Sequence, residues 1–240
     1  QYRKMIKSAN PEGIMIAECW DDSREWLTQG DMFDATMHYV LSRNIWNRFC
    51  HHKISLEQFD ACLNRSLMLY PERINQVLWT FLVSHDTARV RTRAGGDLKM
   101  LHAASFFQFT FPGSPIIYYG DELGIRGVSE EEYRHPMPWN GGNRKLRAFF
   151  QKAIAMRQEL LPLRRGDFRM VSAEPGSDLL VFRRSLGTHA VTVCINPSEG
   201  QRKKIVKNIC HVLEHLGIHR PKVGVLALVE RPSFHMRDTV

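Results

Sequence analysis

Residues 77–88, VLWTFLVSHDTA, hold an apolar run that ends abruptly in polar and ionisable side chains. The run Val77–Val83 is rich in β-branched and aromatic residues, which is typical of a buried strand. It is followed by one serine and then by His85 and Asp86. In parallel α/β folds, the functional groups collect at the carboxyl ends of the strands. The stretch therefore predicts a buried strand with an imidazole and a carboxylate at its functional end.

Apolar runs of this kind alternate with longer helical patterns through the first two thirds of the chain. Ser55 and Gln58 match a capping box, and Pro71 ends the helix that this box opens. Alternating strands and helices of this length predict an α/β fold with a parallel sheet and covering helices. Further strands are predicted at residues 13–17 and 116–119, and helices at residues 1–9, 55–69, 98–109 and 144–159.

The pattern changes after Pro162, where only short strands separated by Gly, Pro, Asn and Ser are predicted. These strands lie at residues 179–183, 190–195 and 223–229. The pattern favours a small antiparallel β-domain. We place the boundary near residue 165, so that the two predicted domains are residues 1–164 and 165–240.

The formal net charge of +8 would permit an anionic partner such as a nucleic acid. The basic residues form only one run, Arg202-Lys203-Lys204, and no aromatic residue lies within it. A solvated surface is therefore favoured over a nucleic-acid site. No stretch approaches the ~20 apolar residues that a membrane span needs, so no membrane partner is predicted either.

The five cysteines are scattered along the chain, and none has the CxxC spacing of a zinc site. Their odd number argues against a disulfide framework. We expect reduced thiols in a cytoplasmic protein. The cysteines are Cys19, Cys50, Cys62, Cys194 and Cys210.

Polar side chains also follow two other predicted strands: Glu18 with Trp20 after the first, and Asp121 with Glu122 after the last. Two carboxylates that face one pocket, such as Glu18 and Asp86, are the minimal equipment for general acid catalysis and electrostatic stabilisation at a glycosidic bond. Each residue alone has a plainer interpretation. A single carboxylate at a strand end is more often a helix cap or an ion-pair partner, and a single histidine is more often a hydrogen-bonded core residue.

Five motifs occur in an order that resembles the second half of the α-amylase family of glycoside hydrolases. The resemblance is closest to the cyclomaltodextrinase, neopullulanase and maltogenic amylase branch, and it covers nearly the whole chain. It implies the second half of a (β/α)8 TIM barrel followed by a small antiparallel β-sandwich domain. The barrel strands five to eight would be residues 13–18, 33–37, 77–83 and 115–118. The motifs are IMIAECW (14–20), TQGDMFDATMHY (28–39), FLVSHDTAR (81–89), FPGSPIIYYGDELGI (111–125) and YRHPMPW (133–139).

The resemblance also implies a role for each residue at the first and third of these strand ends. Glu18 resembles the general acid/base of the family, and Asp86 resembles the carboxylate that stabilises the oxocarbenium-like transition state. His85 is implied to hydrogen-bond the same sugar ring. Trp20 resembles an aromatic platform on the leaving-group side, and a packed core indole is an equally weighted alternative.

Two departures from the family pattern concern catalysis. The nucleophile of the family, an aspartate at the end of the fourth strand, is expected upstream, because the chain begins at the helix before the fifth strand. Ala17 stands where the family commonly has glycine. Asp121 and Glu122 lie in a family motif, but we interpret them as groups that shape a turn.

The predicted function is that of a retaining α-glucan hydrolase acting on cyclodextrins, pullulan, starch fragments or maltooligosaccharides. No organic cofactor and no metal site are expected. For the isolated chain we expect no turnover, and we expect self-association because half a barrel leaves two strand edges unpaired. The alternative is a non-catalytic α-glucan-binding or assembly module that keeps the sugar contacts without a nucleophile.

Overall fold

The first part of the chain is organised around four short parallel strands. In the computed structural model, which describes residues 1–172, 176, 178–197 and the backbone of 224–229, the strands are β1 (Ile16–Ala17), β2 (Ala35–Thr36), β3 (Trp79–Phe81) and β4 (Ser114–Ile116). β1 pairs with β2 and β3 pairs with β4, both in parallel. A parallel bridge between Met37 and Trp79 joins the two pairs. The spatial order follows the chain order, which confirms the predicted parallel sheet and is the order of consecutive strands in a barrel.

The helices lie before, between and after these strands. α4 begins with the predicted capping box, in which Gln58 N donates to Ser55 Oγ at 3.3 Å and Ser55 N donates to Gln58 Oε1 at 2.8 Å. The α-helices are α1 (Tyr2–Ala9), α2 (Arg24–Leu27), α3 (Tyr39–Ile45), α4 (Leu56–Leu69), α5 (Glu72–Asn75), α6 (Val90–Arg93), α7 (Leu98–Thr110), α8 (Glu130–Tyr133), α9 (Arg144–Glu159) and α10 (Leu161–Arg165). α3 continues into a π-helical turn at Trp46–Cys50, and a 3₁₀ turn forms at Asp121–Leu123.

Helix α7 lies in the core, and three of its polar residues are buried together with most of its apolar ones. Ser105, Gln108 and Thr110 are buried beside phenylalanines and alanines of the same helix. The Gln108 side-chain amide donates to the carbonyls of Thr80 at 2.9 Å and Ile116 at 2.8 Å. Because these hydrogen bonds offset the cost of burying the amide, Gln108 holds β3 and β4 side by side.

The C-terminal sheet has the order β5 (Asp167–Ser172), β6 (Leu180–Leu186), β7 (His189–Asn196) and β8 (Gly224–Val229). The predicted strands β6 and β7 pair antiparallel, as expected for this domain, and β5, which was not predicted, pairs antiparallel with β6. β8 pairs with β7 in parallel. The antiparallel prediction depended on the turn residues between the strands, which favour hairpins. A parallel pair requires a connection of a dozen or more residues, and the segment 197–223 is long enough for one. The predicted β-sandwich stays a prediction, and the basic run at 202–204 lies outside the described residues.

One apolar core extends from α7 to the C-terminal sheet. The rings of Phe107 and Phe182 meet at a centroid distance of 5.8 Å, and both residues are fully buried. Arg184 of β6 is also fully buried, and its guanidinium donates to the carbonyls of Thr110, Leu163 at 3.0 Å and Gly166 at 2.8 Å. The predicted boundary near residue 165 falls between α10 and β5, and the core passes across it.

Helix α1 contrasts with α7, because none of its residues is buried. Its exposed apolar residues are Tyr2, Met5 and Ile6, and Ile14 just before β1 is also exposed. Within the described residues, β1 and β4 each have one paired edge and one open edge. None of the described helices combines the length and the apolar character needed to cross a membrane.

Candidate active site

The structure brings together three of the residues that the sequence singled out. Glu18 directly follows β1, and His85 and Asp86 follow the apolar run that includes β3. One carboxylate oxygen of Glu18, one of Asp86 and one ring nitrogen of His85 all lie within 4.8 Å of one another. All three residues are exposed. The convergence arises because parallel strands place their carboxyl ends at one edge of the sheet.

A hydrogen bond from a buried tyrosine fixes one side of Glu18. Tyr39, the first residue of α3, donates its phenolic hydroxyl to Glu18 Oε1 at 3.2 Å. The Tyr39 residue is fully buried, and the ring of Phe81 packs edge-on against it at 4.7 Å. Burial raises the pKa of Tyr39 to about 12, so the phenol stays protonated and remains a donor at neutral pH.

Trp20 combines the two interpretations that its sequence position allowed. One face of its indole stacks on the Tyr39 ring at a centroid distance of 3.9 Å and an interplanar angle of 18°. The residue nevertheless keeps 40% of its surface exposed. Trp20 is therefore a partly packed ring with free surface close to Glu18.

Asp86 is held by a cation that the sequence did not identify. Arg134 Nη2 lies 2.9 Å from Asp86 Oδ1, and Arg134 Nε donates to the His85 carbonyl at 2.9 Å. The same guanidinium lies 2.6 Å from Glu130 Oε1, one helical turn earlier. Arg134 follows Asp86 by 48 residues, so no local spacing could have linked them. It lies in the YRHPMPW motif, and membership of that motif was the available signal.

The imidazole of His85 points to the open side of the site. Its side chain keeps 52% of its surface exposed, and Nε2 lies 3.4 Å from Asp86 Oδ2. His85 is therefore not the buried core histidine of the plainer interpretation. An imidazole in this position can donate a hydrogen bond to a ligand bound beside Asp86.

Asp121 has the surroundings of a structural residue. It is 4% exposed, and Arg89 Nη1 lies 3.2 Å from its Oδ1. Arg89 lies in turn over the rings of Tyr118 at 4.0 Å and Tyr119 at 4.8 Å. Burial raises the pKa of Asp121 to about 7, although the Arg89 cation opposes this effect. These contacts agree with the interpretation of Asp121 as a residue that shapes the turn, and Glu122 beside it is partly buried.

Two carboxylates and an imidazole are also donors that a divalent cation can use. In this site, however, Arg134 already lies against Asp86 and lowers the local negative charge. Carboxylates on two strand ends, one of them next to a buried phenol, are better suited to proton transfer and charge stabilisation at a neutral ligand.

Known proteins resemble this chain in sequence and in structure. A family model described as the catalytic domain of alpha amylase matches residues 1–161. The chain is 37% identical over 211 residues to neopullulanase 2 of Thermoactinomyces vulgaris, covering 87% of this chain and 36% of that protein. It is 36% identical over 198 residues to a cyclomaltodextrinase of Bacillus sp, covering 82% and 35%.

A solved structure of a cyclomaltodextrinase has a TM-score of 0.78 and 36% sequence identity, and the match covers 81% of this chain and 34% of that one. The chain spans about a third of the length of these relatives. Because the family model matches well over half of the residues and two relatives exceed a third in identity, the chain belongs to the alpha-amylase family.

Proposed function

We propose that these residues form part of the active site of a retaining α-glucan hydrolase, with Glu18 as the general acid/base and Asp86 as the transition-state stabiliser. The observation that carries the proposal is the convergence of Glu18, His85 and Asp86 within 4.8 Å at two strand ends of one sheet. The relatives named neopullulanase and cyclomaltodextrinase support pullulan and cyclodextrins as substrates. Starch fragments and maltooligosaccharides share the same linkages.

In the proposed first step, Glu18 donates a proton to the glycosidic oxygen while a carboxylate attacks the anomeric carbon from the opposite face. We place that nucleophile outside these 240 residues. In the second step, Glu18 removes a proton from a water molecule, which displaces the enzyme carboxylate from the sugar. The reaction is carried by carboxylates alone and uses no organic cofactor.

The neighbouring residues act on the sugar ring. Asp86 stabilises the positive charge that develops at the anomeric centre, and this stabilisation is stronger in the transition state than in the bound substrate. His85 hydrogen-bonds a hydroxyl of the same ring, and the free surface of Trp20 stacks on the leaving part of the glucan.

The finer architecture belongs to the same proposal. Residues 1–164 would complete a (β/α)8 TIM barrel with a preceding part of the protein, and residues 165–240 would form a β-sandwich domain. A cytoplasmic location and self-association of the isolated chain also remain proposals. The open edges of β1 and β4 support the self-association.

The test uses the full-length protein and the variant Glu18→Gln. Its kcat should fall roughly 10²- to 10⁴-fold on β-cyclodextrin or pullulan while glucan binding is retained, since the charge-neutral amide cannot transfer the proton. Asp86→Asn should lower kcat and kcat/KM together. Glu12→Gln, at an exposed turn residue, is the matched control. Near-normal turnover by Glu18→Gln would contradict the proposal, and binding without turnover by the unchanged protein would favour the non-catalytic α-glucan-binding module.

A further inference from the structure

A continuous chain of hydrogen bonds connects the two proposed catalytic carboxylate segments through the interior of the site. Tyr39 Oη lies 3.2 Å from Glu18 Oε1 and 3.1 Å from Ser84 Oγ. Ser84 Oγ in turn accepts from the backbone N–H of Asp86 at 3.2 Å. The chain thus joins the end of β1, the start of α3 and the segment after β3.

The direction of the hydrogen bonds follows from the Glu18 end. The single hydroxyl proton of Tyr39 is donated to the Glu18 carboxylate, so Ser84 is the donor to Tyr39. Ser84 Oγ accepts in turn from the Asp86 amide, which can only donate. Every hydroxyl is used once as an acceptor and once as a donor, and hydrogen bonds aligned in this way strengthen one another. The hydrogen-bond chain therefore ends in a donor that holds the carboxylate of Glu18.

Packing leaves the Tyr39 ring little freedom to move. Trp20 stacks on one face at 3.9 Å, and Phe81 meets the ring edge-on at an angle of 85°. Tyr39 and Ser84 are both buried, at 0% and 5% exposure. The hydroxyl is therefore presented to Glu18 from a rigid interior position, whereas Glu18 itself is exposed.

We infer that Tyr39 is a positioning residue: it fixes the carboxylate of Glu18 and couples it, through Ser84, to the segment that carries Asp86. The inference rests on the proposed function of Glu18. Tyr39 acts through Glu18 rather than on the sugar, and its ring also fixes the orientation of Trp20. Loss of the hydroxyl alone should therefore change the proton transfer more than substrate binding.

The experiment compares Tyr39→Phe with the unchanged full-length protein on β-cyclodextrin. Phenylalanine keeps the ring contacts with Trp20 and Phe81 and removes only the hydroxyl. We expect kcat/KM to fall about ten-fold, the size expected for one hydrogen bond to a charged group. Most of the loss should be in kcat. KM should change by less than about two-fold, because Tyr39 acts through Glu18 rather than on the sugar.

Tyr70→Phe is the matched control. Tyr70 is also buried, and its hydroxyl accepts a hydrogen bond from Ser23 N at 3.0 Å. Removal of this hydroxyl should lower the melting temperature and leave kcat and KM unchanged. Ser84→Ala provides a second test if Tyr39→Phe does not fold, and it should lower kcat by a smaller factor.

The outcomes distinguish the role of Glu18 from that of Tyr39. If Glu18→Gln keeps its turnover, the proposed role of Glu18 fails. If Glu18→Gln is inactive but folded Tyr39→Phe loses less than about two-fold in kcat, the positioning role of Tyr39 alone is overturned. That role is also overturned if Tyr39→Phe does not fold and Ser84→Ala keeps the kcat of the unchanged protein.

Discussion

The guanidinium of Arg134 lies 2.9 Å from the carboxylate of Asp86 and ties the segment after β3 to helix α8. Both side chains keep more than a third of their surface in solvent, at 43% and 34%. Water and salt therefore weaken their attraction. Arg89 and Asp121 form the same type of pair at 3.2 Å, but with exposures of 0% and 5%. The two pairs allow the effect of burial to be measured within one chain.

For the exposed pair, Arg134→Gln should lower the free energy of unfolding by less than about 1 kcal/mol. The difference should shrink further in 1 M salt, where the screening length is roughly 3 Å. Urea unfolding at low and high salt measures both effects. A loss that persists in high salt would show that the ion pair is not the source of the stabilisation.

For the buried pair, Arg89→Met should cost about 3–5 kcal/mol, because Asp121 would be left as an uncompensated buried carboxylate. The pKa of Asp121 is already raised by burial to about 7, above the ordinary value of 3.8. A raised pKa means that the folded state prefers the protonated acid, so stability is lost as the pH rises through this interval. The variant should therefore be more unstable at pH 8 than at pH 5. Equal losses at the two pH values would argue that Asp121 does not carry the effect.

The buried His38 makes the stability of the chain depend on pH in the opposite direction to Asp121. It is buried, and its Nε2 lies 2.8 Å from Ser66 Oγ. Burial lowers the pKa of His38 from 6.5 to about 4, so the folded state prefers the neutral ring. The contribution of the neutral His38 ring to the free energy of unfolding is fully present above pH 6.5. It falls as the pH is lowered toward 4, by roughly 3 kcal/mol in all.

The variant His38→Gln checks this dependence, because glutamine can still hydrogen-bond Ser66 but does not titrate. Urea unfolding at pH 7 and pH 4.5 should show a smaller acid-induced loss for the variant than for the unchanged chain. The same loss in both proteins would assign the acid sensitivity to other groups.

The isolated 240-residue chain should self-associate. Each outer strand, β1 and β4, has an open edge within the described residues, and the exposed apolar residues Met5 and Ile14 lie near β1. Light scattering should report a mass above that of one chain. The double substitution Met5→Glu with Ile14→Lys should shift the mass toward the monomer if this face is involved. A stable monomer of the unchanged chain would contradict the prediction.

Much of the site could be predicted because it depends on strand ends. Glu18, His85 and Asp86 each follow an apolar run, and in a parallel sheet this alone brings them to one edge. Tyr39 and Arg134 could not be found in this way. Their contacts depend on how α3 and α8 are oriented, and no sequence spacing encodes that orientation.

For the fold, elements with local sequence signals could be predicted, and those that depend on tertiary packing could not. Helices α4 and α9 carry local signals, the capping box of Ser55 and a long amphipathic pattern, and both lie at the predicted residues. Strand β5 was not predicted, and the parallel pairing of β8 was not expected, because pairing direction depends on the path of the connecting segment. The buried Gln108 shows the same limit, since its partners Thr80 and Ile116 are set by tertiary packing.

Substitution of Arg184 should destabilise the chain. Its buried guanidinium donates to the carbonyls of Thr110, Leu163 and Gly166, and methionine would remove these donors. Since each unsatisfied buried group costs about 1–3 kcal/mol, Arg184→Met should destabilise the chain by several kcal/mol. Arg183→Met is the matched control from the same strand. Equal melting temperatures for the two variants would contradict the assignment.

The contact between Arg184 and Thr110 also has a consequence for synthesis of the chain. Arg184 follows Thr110 by 74 residues. At about 5–20 residues per second, roughly 4–15 s pass between translation of the end of α7 and translation of the arginine that binds its last carbonyl. A nascent chain that is halted before residue 184 would present the Thr110 carbonyl without its arginine donor and an uncovered face of Phe107. Ribosome-bound chains of this length are therefore the form of the protein that chaperones should bind best.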